Sequence, residues 1–126
     1  MIYFEKSTNT FYLESKDVTY AFCITKFGFL NHLYYGKKIA REDLSHSIYY
    51  VDRGHGSNIA GAPRHESLNI YGNECPAFGR SDYRQSMIAL CDKNGVRVGD
   101  WKYVEHRIIE EKQELTLLYL TMVGLA

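Results

Sequence analysis

Proline and cysteine are both scarce in this chain, with two prolines and three cysteines among 126 residues. The cysteines (Cys23, Cys75, Cys91) are odd in number and widely spaced. They therefore suggest neither a disulfide framework nor a Cys-x-x-Cys metal site, and a reduced, cytoplasmic protein is the expectation. An excess of one charge is lacking too. Fifteen Lys and Arg balance fifteen Asp and Glu, so neither a nucleic-acid partner nor an anionic membrane surface is expected. Long apolar runs are missing as well. The longest, Leu115 to Ala126, falls well short of the roughly 20 residues a membrane span needs. The first residues, Met1-Ile-Tyr-Phe-Glu-Lys, enter a strand pattern with no basic and apolar leader. Helical periodicity is also short. Residues 39–46 have room for one turn, and no stretch sustains three turns of matching period.

What the chain has in abundance is tyrosine, eleven copies, in runs that alternate apolar and polar residues. The simpler reading of so much tyrosine is strand propensity; the sharper one is a sugar or peptide groove. Strands are predicted at Ile2–Glu5, from Phe11 to Leu13, at Val18–Ile24, Phe29–Tyr35, Ser47–Val51, Ser86–Cys91, Val96–Val98, Trp101–Ile109 and Leu115–Val123. Turns are expected at Ser7–Thr10, Lys16-Asp17, Lys26–Gly28 and Gly36–Lys38. Asp92-Lys93-Asn94-Gly95 carries a strong hairpin signal. Many short strands with turns between them predict an all-β fold, a β-sandwich or barrel, in a single domain over residues 1–126. The run Glu110–Glu114 reads most simply as a solvated turn.

The stretch from Val51 to Arg84 breaks this rhythm. Its glycines (Gly54, Gly56, Gly61, Gly72, Gly79) and both prolines (Pro63, Pro76) interrupt any regular element. Irregular stretches longer than about 12–15 residues are usually functional or disordered. Most chemical motifs within it fail. Gly54-His55-Gly56-Ser57-Asn58-Ile59 begins like a dinucleotide loop but has isoleucine where the third glycine belongs. His55, His65 and Glu66 would serve a small metal-dependent β-barrel enzyme, yet no compact His-x-His pair supports one. Ser81, Asp82 and Ser86 have no recognisable base and orienter. Asp52, Glu66, Glu74 and Asp82 supply carboxylates of the kind glycosidases use in facing pairs. Their other reading is turn capping and pairing with Arg53, Arg64, Arg80 and Arg84.

Four pieces stand in order along the chain: His32-Leu-Tyr-Tyr-Gly-Lys-Lys38, Val51-Asp52-Arg53, Glu74-Cys-Pro-Ala-Phe-Gly-Arg-Ser-Asp-Tyr-Arg84 and the stretch from Trp101 to Ile108. Together they resemble the N-terminal domain of glycoside hydrolase family 36 α-galactosidases. The likeness covers roughly residues 10–109, and the run from Leu115 onward does not resemble the family. The resemblance implies a supersandwich-like β-sandwich, here possibly incomplete, that in full-length members precedes a (β/α)8 barrel bearing both catalytic aspartates. On that reading these residues lack the barrel, catalyse nothing alone and need no cofactor or metal. The resemblance also implies a task. In tetrameric bacterial members a loop of this domain reaches a neighbouring subunit's active site and touches the galactoside. Asp52 matches that contact, and Arg64 matches a second position near the same pocket. The expected partners are a galactoside, met through the full-length enzyme, and other copies of the chain. The alternative is a free-standing carbohydrate-binding β-sandwich using Asp52 and the tyrosines.

Overall fold

The structure, a computed structural model, describes residues 1–51, 58–79 and 82–110. Its regular part is one antiparallel sheet of four strands in the order β1-β2-β3-β4, with β1 at Ile2–Glu5, β2 at Thr10–Glu14, β3 at Val18–Ile24 and β4 at Leu30–Lys37. The meander follows from local chemistry. Alternating residues give each strand two faces, and short polar turns join neighbours. Asn9 adopts a positive φ between β1 and β2, Ser15 accepts from Val18 N–H between β2 and β3, and Gly28, at φ 85°, closes the β3–β4 turn.

The two faces carry different cargo. On one, Tyr12, Ala21, Cys23 and Leu33 form a buried cluster. The segment from Ile39 to Ile48 lies over it, contributing Ile39, Leu44 and Ile48. Three ties hold that segment: Tyr12 donates its hydroxyl to Glu42 C=O, Ile39 N–H donates to Thr19 Oγ1, and Arg41 pairs with Glu14 at 2.6 Å. Burial in this cluster pushes the Cys23 thiol up to about 11. A register slip between Ala21 and Phe22 pairs them with Tyr34 and His32. Leu33 is thereby the extra residue of a bulge, and both Leu33 and Tyr34 reach the same cluster. On the other face, Phe4, Phe11 and Phe22 stack in a cross-strand row at 4.5 and 4.9 Å, and His106 closes over Phe4 and Phe11.

The all-β expectation holds, and the predicted β1 to β4 are found within a residue or two. Other predicted strands are not. Residues 47–51 end a 3-10 turn at Ser45–Ser47 and continue without a ladder. Residues 86–91, 96–98 and 101–109 are also unpaired. A strand is defined by a partner, and the backbone of these segments and of Gly99 between them meets the rest through isolated bonds, Met87 N–H to Pro76 C=O, Gly99 N–H to Phe78 C=O and Tyr103 N–H to Gly28 C=O. The Asp92–Gly95 turn does form, with Gly95 at φ 81° and Asp92 Oδ1 accepting from the N–H groups of Asn94 and Val96. The expected strand at 115–123 lies outside the described residues. Among the described residues no helix is long and apolar enough to cross a membrane.

Candidate functional site

The irregular stretch packs against the β3–β4 turn and the open edge of β4. Phe29 of that turn joins Ile59, Leu68 and Tyr71 in a second buried cluster. Along the edge, His32 N–H donates to Gly72 C=O at 2.7 Å and Glu74 N–H to Leu30 C=O at 2.9 Å. Gly72 eases this approach, because a Cβ there would sit 3.1 Å from the Cβ of His32, closer than side chains ordinarily pack. An exposed strand edge is thus covered by loop backbone.

Inside this packing three of the four carboxylates are occupied. Glu66, 3% exposed, pairs with Lys26 of the β3–β4 turn and accepts the hydroxyl of Tyr71. Burial and that hydrogen bond push the Tyr71 phenol far above its ordinary range. Glu74 bonds His32 Nδ1 at 2.8 Å, and burial followed by a bond to Glu74 raises the Tyr20 phenol on β3. Asp82, also buried, takes Arg84 Nε at 2.8 Å and Asn73 Nδ2 at 3.3 Å. Arg84 then extends past Asp82 to the carbonyls of Leu68, at 2.6 Å, and Tyr71. Glu74, Asp82 and Arg84 therefore form a structural clasp that fastens the loop to the sheet.

One of the two readings of these carboxylates was turn capping and pairing with arginines. Asp82 does pair with Arg84, while Glu66 binds Lys26 and Tyr71 and Glu74 binds His32. Lys26 and Asn58 were missed. Asn58 Oδ1 accepts from Ser67 Oγ at 3.0 Å and from Leu68 N–H at 2.8 Å, closing the loop from 58 to 68. The one available signal was the habit of Asn and Asp side chains of binding nearby turn backbone.

Between these fixed points the loop presents an exposed tip. Arg64 and His65 are both exposed, and the His65 ring meets Tyr50 edge-on with centroids 5.7 Å apart. His65 and Glu66, adjacent in sequence, thus face opposite environments. Among the described residues no three His, Cys, Asp or Glu side chains gather. Asp52 and His55 lie outside the described residues. The interior between sheet and loop holds a cavity of about 10 Å³ beside Phe29, Leu68, Asn73 and Trp101, room for about one water and not for a sugar. A larger surface hollow of about 380 Å³ is lined by Phe78, Ile88, Leu90 and Arg97, not by Arg64.

The fold thus defines a class, an all-β domain that displays a braced, polar loop beside one end of its sheet. The chain belongs to the family of glycosyl hydrolase family 36 N-terminal domains, whose family model matches residues 28–124. That match runs through residues 111–124, where sequence reading alone saw the likeness stop.

Among similar proteins, the bifunctional α-galactosidase/sucrose kinase AgaSK of Mediterraneibacter gnavus is 30% identical over 116 residues, 90% of this chain and 12% of that protein. The α-galactosidase AgaA of Geobacillus stearothermophilus is 29% identical over 120 residues, 95% of this chain and 16% of that protein. The solved galactosidase domain of AgaSK superposes with a TM-score of 0.82 over 92% of this chain and 16% of its own, at 30% identity. A variant of the Geobacillus AgaA in complex with raffinose superposes with a TM-score of 0.75 over 85% of this chain and 15% of its own, at 29% identity. The chain thus spans less than a fifth of the length of these relatives.

Proposed function

We propose that this chain is the N-terminal β-sandwich module of an α-galactosidase. It is not itself catalytic; it serves assembly and brings Asp52 and Arg64 to a galactoside pocket whose catalytic carboxyl groups lie elsewhere in the enzyme. The observation that carries this reading is where the charged side chains of the loop stand. Glu66, Glu74 and Asp82 are each bonded within the fold, and Arg64 lies at an exposed tip of the same loop. Hydrolysis of a glycosidic bond needs an acid and a nucleophile or base poised on either side of it, and carboxylates already tied into the fold are poorly placed for either role. A guanidinium at an open tip suits another task. It grips sugar hydroxyls or orients a neighbouring carboxylate. The Asp52 carboxylate accepts hydrogen bonds from sugar hydroxyls, and its charge strengthens them.

The partners that follow are a terminal α-galactoside and further copies of the chain, in the cytoplasm. The free thiols of Cys23, Cys75 and Cys91 suit that reduced compartment. The test uses the purified chain with a chromogenic α-galactoside and, separately, with galactose in a calorimeter. The expected result is no turnover and no measurable heat. Turnover by the chain alone overturns the non-catalytic reading. Stoichiometric heat with galactose replaces it with a free-standing carbohydrate-binding module.

A further inference from the structure

We propose that Glu66 is a positioning residue for Arg64, acting through a latch in which its buried carboxylate binds Tyr71 and the largely exposed Lys26. The inference rests on the role of Arg64 proposed above. The loop is fastened on either side of its tip, by Ile59 and Leu68 in the cluster with Phe29 and Tyr71 and by Asn58 Oδ1, which accepts from Ser67 Oγ and Leu68 N–H. Those fastenings fix the ends. Within the tip, Glu66 N–H donates to Pro63 C=O at 2.9 Å, folding Arg64 and His65 outward while the Glu66 side chain turns in. Its two oxygens then bind groups from different parts of the chain, Lys26 from the β3–β4 turn and the Tyr71 hydroxyl from beyond the loop. The tip is thereby tied to the sheet two residues from Arg64.

A carboxylate is a poor choice for stability alone. Removing it from water costs several kcal/mol, and a well-packed apolar residue often serves a buried site as well or better. What a paired charge adds is direction, since Lys26 and the Tyr71 hydroxyl together narrow the placements open to the carboxylate. Glu66 thereby helps set the station of Arg64, and loosening it should cost affinity for the galactoside and not the rate of the chemical step.

The test is made in the full-length Geobacillus AgaA with this chain in place of its matching N-terminal residues. Arg64→Ala should raise KM about tenfold with kcat within about twofold, as loss of a charged hydrogen bond to bound substrate would. Glu66→Gln should raise KM about three- to tenfold by the same route. Tyr71→Phe, which deletes one hydroxyl, should give a smaller rise and serves if Glu66→Gln fails to fold. The double variant should be no worse than Arg64→Ala alone, because Glu66 acts through Arg64. Arg41→Ala, which breaks the tie to Glu14 on β2, should lower Tm and leave KM unchanged, separating position from stability. An effect of Arg64→Ala with none from Glu66→Gln and Tyr71→Phe overturns the latch alone, as does a double variant whose effects multiply. A silent Arg64→Ala, or a folded but inactive hybrid, overturns the reading of Arg64 itself and the latch with it.

Discussion

Arg84 reaches Asp82 and the carbonyls of Leu68 and Tyr71 with one planar guanidinium. Its partners come from three points of the irregular stretch, so a single side chain closes the clasp around Asn73. Arg84→Ala would strand a buried carboxylate and free two carbonyls, for a loss of about 3 kcal/mol. Arg84→Lys should recover little, since a lysine point charge cannot reproduce the fork. Urea denaturation of the three proteins would check both statements. Some of this was legible in the sequence. Asp82 and Arg84 sit two apart in a turn-rich segment, and their pairing is the local chemistry expected of aspartate. Glu66 was not legible in the same way. Its partners, Lys26 and Tyr71, lie in different segments, and only the packing of the β3–β4 turn on the loop brings them together.

At the scale of elements, the four-stranded meander was readable because each strand alternates and each turn is short. Pattern and turn chemistry agree there without reference to anything distant. The segments at 47–51, 86–91 and 101–109 carry the same strand-like composition but form no ladder among the described residues. Propensity for strand is mostly fitness for a packed, paired surface, and such pairing is not written in the segment itself. The segment over the first face makes a separate prediction. Arg41 bonds Glu14 and holds its carboxyl below the usual 4.5. A carboxyl depressed on folding contributes stability above that value and loses it as pH falls through the lower folded value. Denaturation midpoints followed from about pH 6 to pH 3 should therefore fall for the natural chain. In Arg41→Ala the fall should be shallower over the window below 4.5.

On the scale of the whole molecule, apolar side chains remain at the surface along residues 87–109, with Val104 86% exposed and Ile88, Leu90 and Val98 each at least half exposed. Contiguous exposed apolar surface marks a site of association, and the open segments that carry it favour contact between copies. Sedimentation of the purified chain at micromolar concentration should therefore show a species larger than the monomer, and a clean monomer would count against self-assembly. The family was legible from scattered motifs, the densest of them in the sequence from Glu74 to Arg84. The sugar-facing role is carried by fewer residues. Asp52 and Arg64 were assigned through the resemblance, and the structure contributes the braced tip on which Arg64 stands.

Residues of this domain are proposed to touch the sugar. The most direct measurement is the steady-state kinetics of the full-length hybrid with Asp52→Asn, on raffinose and on a chromogenic α-galactoside. Replacing a charged acceptor by a neutral one of the same shape should raise KM for both substrates by about tenfold and leave kcat within about twofold. Unchanged KM for both substrates, in a hybrid that is folded and active, would contradict it.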